Sequence, residues 1–261
     1  MSHATGRAQS QTDGDRERAR RLELLRHAGV YLVTEESLSA GRRSEEIAEA
    51  ALANGVRAVQ VREKDGSARR ALEIALEVRR LTRRFDALLI VNDRVDIALA
   101  AEADGVHVGQ SDLPIAEARR LLGDAALIGL SITETGQLAS PEAAAADYLG
   151  VGAVFPTGSK SDATLTGLAL LEAARVAARA WAAPVPGAGG MPGGGAAPIV
   201  AIGGITADNA ARAVLAGADV VAVISAITAA PDPGRAAAAL VEAVRTARTS
   251  MTAERPAGVS R

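Results

Sequence analysis

Short apolar runs alternate with longer stretches of mixed polarity along most of the chain. A run of four or five apolar residues between turn residues is typical of a strand buried on both faces, whereas stretches rich in Ala, Leu, Glu and Arg are typical of helices. The rhythm begins at Val30. It predicts strands at Val30–Val33, Ala58–Val61, Leu88–Val91, Gly105–Val108, Leu127–Ser131, Tyr148–Val151, Ile199–Ile202 and Val220–Val223.

A helix is predicted after every strand. The predicted helices are Ser44–Asn54, Ala68–Phe85, Val95–Ala101, Pro114–Leu122, Gly136–Ala146, Gly167–Arg179, Thr206–Ala216 and Pro233–Ala247. Strand–helix units joined by short connections predict an α/β fold, a single-domain (β/α)8 TIM barrel. An open doubly wound sheet is the alternative. No G-x-G-x-x-G motif follows the first strand, which argues against it.

The barrel is predicted to span residues 29–248, with additions outside its repeating units. Residues 1–28 are polar at first and then basic, which predicts an N-terminal extension, partly disordered or a short helix on the bottom or side of the barrel. The Gly/Pro-rich segment 184–198 predicts a flexible surface insert on the face opposite the catalytic rim. Residues 249–261 are expected to form a loose C-terminal tail.

The amino-acid composition limits the kinds of core, partner and location that the protein can have. Apolar residues make up 48% of the 261 residues and aromatic residues only 2%, so the core must consist of Val, Ile, Leu and Ala. A net charge of −2 argues against a nucleic-acid partner, and the absence of cysteine excludes disulfides, thiolate metal sites and a cysteine nucleophile. No apolar run reaches the roughly 18 residues that span a bilayer, and the N-terminus lacks an apolar signal core. We therefore expect no membrane association and a cytoplasmic location.

Chemistry in such barrels lies where the strands end. At the end of the second strand, alternation puts Gln60, Arg62 and Lys64 on one side of the chain and Val61 on the other. Two cations and an amide suit a diphosphate, whereas an ion pair with Glu63 in a purely structural loop is the alternative.

The third and fourth strands end in carboxylates. Asn92 and Asp93 follow the third strand, and Asp112 follows the fourth. One or two carboxylates with substrate phosphate oxygens commonly hold Mg²⁺, but these residues could equally cap the next helices. For His107, within the fourth strand, a hydrogen-bonded barrel histidine is favoured over a catalytic one.

The later strand ends carry residues that suit a phosphate. Ser131 ends the fifth strand, and the loop to Lys160 contains glycines and hydroxyls. Gly203 and Gly204 follow the seventh strand and Ser225 the eighth, the usual phosphate site of such barrels. Two anion sites with no activated nucleophile or base pair predict a transfer reaction that releases diphosphate.

Taken together, eight segments resemble the thiamine-phosphate synthase family over roughly Val30 to Ala247. They are YLVT (Tyr31–Thr34), VQVREK (Val59–Lys64), VNDR (Val91–Arg94), ADGVHVGQSDLP (Ala103–Pro114), IGLS (Ile128–Ser131), DYLGVGAVFPTGSK (Asp147–Lys160), AIGGIT (Ala201–Thr206) and AVISAI (Ala222–Ile227). The resemblance implies a transferase of thiamine biosynthesis on a (β/α)8 barrel. It would join hydroxymethylpyrimidine diphosphate to thiazole phosphate, or its carboxylate, by a dissociative mechanism.

The resemblance also implies roles for individual residues. The pyrimidine diphosphate would be held by Gln60, Val61, Arg62, Glu63, Lys64, Asn92, Ser131 and Lys160. The thiazole phosphate would be held by Thr157, Gly158, Ser159, Gly204, Ile224 and Ser225. The cofactor would be Mg²⁺ on Asp93 and Asp112, and the catalytic residues would be Arg62, Lys64, Ser131 and Lys160.

Two rivals remain at this point, a thiazole tautomerase on the same barrel and a non-catalytic protein that binds thiazole or thiamine phosphates. The complete set of cationic and carboxylate residues favours the synthase. The family often has Thr where Ser159 stands, which keeps the hydroxyl. The oligomeric state, including a homo-oligomer, and the form of the thiazole substrate stay open.

Overall fold

The computed structural model describes residues 2–64, 66–158, 165–182 and 195–253. Parallel strands close into a barrel in sequence order, with the last strand paired to the first, so the predicted barrel is confirmed and the open sheet is excluded. The strands are β1 (Val30–Val33), β2 (Ala58–Val61), β3 (Leu88–Asn92), β4 (Gly105–Val108), β5 (Leu127–Ile132), β6 (Tyr148–Val151), β7 (Ile199–Ile202) and β8 (Val220–Val223). Every strand agrees with the sequence prediction to within one residue.

The helices cover the outside of the barrel and its amino-terminal end. They are α1 (Ser2–His27), α2 (Ser44–Ala53), α3 (Ala68–Arg84), α4 (Val95–Ala100), α5 (Ile115–Leu122), α6 (Pro141–Ala145), α7 (Gly167–Trp181), α8 (Ala210–Leu215), α9 (Ser225–Thr228) and α10 (Pro233–Ala253). Two predicted helices are shorter than expected. The Gly136–Ala146 helix divides into a 3₁₀ turn and α6 at Ser140, whose hydroxyl caps α6. The helix predicted from Thr206 begins only at Ala210, because Asn209 Oδ1 accepts from Thr206 N in the preceding turn.

Two apolar layers make up the core. The outer layer lies between the strands and the surrounding helices and is aliphatic, with residues such as Val61, Leu89 and Ile128 almost fully buried. The inner layer fills the barrel and contains the side chains of Tyr31 and Tyr148. Successive strand residues alternate between these layers, so polar side chains at inward positions near the strand ends are directed toward the catalytic face.

The N-terminal extension differs from its prediction. The extension was expected to be partly disordered or to form only a short helix, but α1 is continuous from Ser2 to His27. Ion pairs one turn apart, such as Arg16 with Asp13, stabilise this polar helix. Leu22 and Leu25 belong to the inner layer and are 6% and 0% exposed, so α1 closes the amino-terminal end of the barrel.

A repeated ion pair holds that end of the barrel together. Three aspartates stand directly before β4, β6 and β8, and each accepts from a backbone N–H of the preceding strand and from an arginine of the helix before that strand. The sets are Asp104 with Leu89 N and Arg79 (2.8 and 2.6 Å), Asp147 with Ile128 N and Arg119 (2.7 and 2.5 Å), and Asp219 with Ile199 N (2.7 Å) and Arg175. We call these three sets the Arg–Asp locks.

The C-terminal segment and the predicted insert are described only in part. The helix α10 continues to Ala253, past the point where a loose tail was predicted, and residues 254–261 fall outside the described part of the chain. Most of the predicted insert at 184–198 also falls outside it. Its described end is at the amino-terminal face, where Arg26 donates to Ala196 O at 2.8 Å. In the described ranges, no helix has the length and apolarity needed to cross a membrane.

Candidate active site

A wide cavity opens at the carboxyl ends of β5 to β8 and has a volume of about 560 Å³. The structure brings the described members of the predicted thiazole-phosphate set together along its wall. They are Thr157, Gly158, Gly204, Ile224 and Ser225, and Ser131 joins them from β5. Ser159 and Lys160 lie outside the described residues.

Glycines let the backbone itself form part of this wall. Gly204 has a φ of +64°, and a Cβ there would stand 2.3 Å from Pro156 O. Gly203 has a φ of +98°, and its Cβ would stand 2.5 Å from the Cβ of Ala153. Asn209 Nδ2 donates to Gly204 O at 2.9 Å and so holds the loop in place. Main-chain groups at such positions can approach an anion more closely than a side chain would allow.

A second, narrower space of about 30 Å³ lies inside the barrel toward β1 to β4. The predicted pyrimidine-diphosphate residues Gln60, Arg62 and Asn92 line it, together with Ser131. Ser131 also lines the wide cavity, so the two spaces meet there. The side chain of Val61 packs in the outer layer and is 2% exposed, which leaves only its backbone for contact with a substrate.

Arg62 is held by a buried carboxylate. Its guanidinium pairs with Glu35 just after β1, and the two side chains are 6% and 8% exposed. Glu35 also accepts from Ser37 Oγ at 2.9 Å, and Arg62 N donates to Thr34 Oγ1 at 3.2 Å. Arg62 therefore pairs with Glu35 and not with Glu63, the carboxylate that the structural alternative had named. No local signal in the sequence pointed to Glu35, because the contact joins two neighbouring strand ends.

The side chain of Glu63 points toward α2 and not toward Arg62. Its Oε1 accepts from Ser44 Oγ at 3.0 Å, and burial raises the pKa of this carboxyl. The next residue, Lys64, is exposed at the rim. Of the predicted diphosphate residues of this segment, Arg62 therefore lies inside the barrel mouth and Lys64 at its edge.

Asp93 and Asp112 meet at the ends of β3 and β4. The pKa of Asp93 is raised to about 6, mainly by burial and also by the neighbouring Asp112 carboxylate, while the charge of Lys64 opposes the shift. Asp112 Oδ2 accepts from Gly109 N at 2.7 Å. The capping alternative is wrong for both residues, because α4 and α5 begin after Arg94 and Pro114 without a side-chain cap.

Two facing carboxylates are a suitable donor set for a hard cation. Mg²⁺ prefers oxygen ligands and usually takes only one or two carboxylates, with water and phosphate oxygens completing its shell. In the described residues no group of three or more His, Cys, Asp or Glu side chains could hold a metal. Asp93 and Asp112 therefore fit a cation shared with a substrate, not one held by the protein alone.

Beneath the rim, five side chains form a hydrogen-bonded chain through the barrel. Gln60 Nε2 is 2.8 Å from Tyr31 Oη, which is 3.4 Å from Tyr148 Oη. His107 then lies between Tyr148 Oη (3.1 Å from Nδ1) and Ser131 Oγ (2.9 Å from Nε2). We call this set the interior chain. The predicted hydrogen-bonded histidine is confirmed.

The interior chain has room only because two neighbouring strand residues, Gly129 and Gly150, are glycines. A Cβ at position 129 would lie 2.1 Å from the Tyr148 ring, and one at position 150 would lie 2.7 Å from the His107 ring, so only glycine fits at both. No role was predicted for Tyr31 or Tyr148 from the sequence. A usable signal was present, because these are the only tyrosines in the sequence and both stand at inward strand positions.

Comparison with known proteins identifies the family. A family model described as thiamine monophosphate synthase matches residues 30–227. The chain is 49% identical over 219 residues to the thiamine-phosphate synthase of Haloarcula marismortui, covering 84% of this chain and 98% of the relative. It is 46% identical over 220 residues to that of Moorella thermoacetica, covering 84% and 97%.

Solved structures agree with the sequence comparison. Thiamine phosphate pyrophosphorylase from Pyrococcus furiosus superposes with a TM-score of 0.71 at 36% identity, covering 85% of this chain and 98% of that one. A 3-hexulose-6-phosphate synthase, at 20% identity and a TM-score of 0.56, shares the fold alone. The chain belongs to the thiamine-phosphate synthase family and is a transferase of thiamine biosynthesis.

Proposed function

We propose that the protein joins 4-amino-2-methyl-5-(diphosphooxymethyl)pyrimidine to 4-methyl-5-(2-phosphooxyethyl)thiazole, or its carboxylate, and releases diphosphate. If the carboxylate is the substrate, its carboxyl group must also leave as CO2. The observation that carries this proposal is the junction at Ser131. One side chain there lines both the wide cavity, with its backbone-rich wall, and the narrow space that holds Arg62 and Asn92. Two substrates bound in these spaces would meet at the junction.

The diphosphate end is proposed to be held by Arg62, Lys64 and Asn92. Glu35 fixes the guanidinium of Arg62 in a buried position, so the charge is already in place when the substrate binds. Fixed charges of this kind stabilise a leaving group more than mobile ones, because they need no reorganisation during the reaction. Lys160 is expected to add a third cationic side chain from the loop after β6.

Asp93 and Asp112 would hold Mg²⁺ on the same side. A bound Mg²⁺ supplies positive charge that stabilises the departing diphosphate. The residues themselves orient that charge from the ends of β3 and β4, next to Lys64. This arrangement supports a metal shared between protein and diphosphate.

The reaction is proposed to be dissociative. The bond between the pyrimidine methylene carbon and the diphosphate oxygen breaks, and its electron pair leaves with the diphosphate. The thiazole nitrogen lone pair then forms the new carbon–nitrogen bond. Neither step transfers a proton, which agrees with a site built for positioning and charge stabilisation.

Turnover with defined substrates tests the proposal. The protein is mixed with both substrates and Mg²⁺, and diphosphate release and thiamine phosphate formation are followed together. Equal amounts of both products are expected, and each substrate alone should give neither. Isomerisation of a thiazole carboxylate without pyrimidine diphosphate would favour the tautomerase, and tight binding without turnover would favour a binding protein. Either result would overturn the synthase proposal.

A further inference from the structure

The interior chain links two residues that the family resemblance assigns to the pyrimidine diphosphate, Gln60 and Ser131. The three residues between them, Tyr31, Tyr148 and His107, line the narrow space but have had no role so far. Tyr31 and Tyr148 are 1% and 0% exposed. At that burial each hydroxyl hydrogen needs an acceptor within the protein.

The order of donors along the chain follows from one amide. Gln60 directs Nε2 at Tyr31, so the Tyr31 oxygen accepts and its own hydrogen is available for Tyr148. The Tyr148 hydrogen is then directed to His107 Nδ1, which must be unprotonated to accept it. A neutral His107 consequently carries its hydrogen on Nε2 and donates to Ser131 Oγ.

Each end of this ordered chain presents one defined group to the substrate space. Gln60 keeps its carbonyl oxygen as an acceptor, because its amide nitrogen is engaged with Tyr31. Ser131 receives a hydrogen from His107, so its own hydroxyl hydrogen is directed toward the cavity that it lines. Reversing the direction of these hydrogen bonds would require the Gln60 amide to flip. Gln60 would then present a donor to the substrate space, and Ser131 would present an acceptor.

We propose that His107 and Tyr148 are positioning residues that keep Ser131 as a hydrogen-bond donor toward the substrate, with His107 in its Nε2–H tautomer. The inference rests on the proposed function only for what Ser131 contacts. A donor there can stabilise negative charge as it develops on a leaving oxygen, whereas an acceptor would oppose it. Because the hydrogen bonds are linked, the acceptor role of the Gln60 carbonyl oxygen and the donor role of the Ser131 hydroxyl are set together.

The tautomer can be measured without any substrate. Nitrogen-15 NMR of the histidine rings at about pH 8, above the ordinary pKa of histidine, distinguishes Nδ1–H from Nε2–H, and a His107→Asn variant identifies the His107 signals among the three histidines. We expect a single Nε2–H form for His107. An Nδ1–H form, or two protonated nitrogens, would overturn the inference.

Two matched variants test the order of donors. Tyr31→Phe and Tyr148→Phe each remove one hydroxyl from a fully buried ring. Tyr31→Phe should leave the tautomer unchanged, because Tyr148 still donates to Nδ1. Tyr148→Phe should give a mixture of both tautomers. The same spectrum for both variants would contradict the proposed order, and thermal melting shows whether each variant is folded.

A kinetic cycle separates positioning from general damage. Tyr148→Phe should lower kcat/KM about tenfold, mainly through kcat, and by about twofold or less when Ser131→Ala is already present. A general structural defect would reduce activity equally on both backgrounds, and that result would overturn the positioning role. If the unmodified protein turns over neither substrate pair, the proposed function fails, while the tautomer measurement still decides the inference.

Discussion

Glu35 and Arg62 form an ion pair that is buried where β1 and β2 end. Each side chain is less than a tenth exposed, and the arginine is one of the residues proposed to bind diphosphate. A buried charge without its partner is costly, whereas a pair removed as a unit often costs little. The same ion pair therefore affects both the stability of the barrel at the ends of β1 and β2 and the binding of diphosphate by Arg62.

The first prediction concerns this pair. Arg62→Ala leaves the Glu35 carboxylate buried without the guanidinium, so we expect it to lower the free energy of unfolding by about 3–5 kcal/mol and to abolish turnover. Removing both side chains with Glu35→Ala and Arg62→Ala should recover part of the stability but none of the activity. Denaturant unfolding and initial rates measure the two effects. A double variant as unstable as Arg62→Ala would contradict the pairing.

The second prediction concerns metal dependence. Asn tolerates the φ of +58° at position 93 and keeps the shape of the side chain, so Asp93→Asn removes mainly charge. We expect about a 100-fold loss of the Mg²⁺-dependent rate, because the cation loses one of two carboxylate ligands. Asp96→Asn is the matched control, since Asp96 is nearby but paired with Arg94 at 2.5 Å. Equal rates for the two variants would show that the metal assignment is wrong.

The third prediction concerns pH. The pKa of Asp93 is about 6 in the fold and 3.8 ordinarily, so its contribution to stability is fully present below about pH 3.8 and is lost as the pH rises through about 6. Mg²⁺ binds the deprotonated carboxylate. It should therefore raise Tm at about pH 7.5 and have little effect at about pH 5. Thermal melts with and without Mg²⁺ measure this, and an equal Tm increase at both pH values would contradict it.

The fourth prediction concerns the wall of the wide cavity. Gly204→Ala places a Cβ 2.3 Å from Pro156 O at a positive φ, so the loop must shift. We expect a loss of roughly 2 kcal/mol or more in stability and a large rise in KM for the thiazole phosphate. Gly136→Ala is the control, because nothing lies within 4 Å of its Cβ and its φ is not positive. If both variants bind the thiazole phosphate equally well, the loop after β7 does not form that site.

The barrel was predictable because its signals are local. Each strand is an apolar run with turn residues at its ends, and polar residues such as Asn92 and Ser131 mark the ends on the catalytic face. The inward or outward direction of a side chain follows from alternation, which separated Gln60 from Val61 correctly. Those rules need only a few neighbouring residues.

Contacts between distant segments were not predictable in the same way. Nothing near Glu35 shows that it meets Arg62, and nothing near Leu25 shows that it enters the barrel. Tyr31 and Tyr148 are 117 positions apart, so their hydrogen bond exists only once the barrel closes. Asp93 and Asp112 were brought together correctly because they follow neighbouring strands, a relationship that strand order alone supplies.

Because of the Arg–Asp locks, local opening at the amino-terminal end of the barrel can be measured by hydrogen exchange. The amide hydrogens of Leu89, Ile128 and Ile199 are each bound to an aspartate side chain. Opening one lock exposes its own amide while the other two stay bound. Three NMR signals therefore report separately on three sectors of the barrel, far from any substrate. They would reveal whether a change at the catalytic face loosens the opposite end of the molecule.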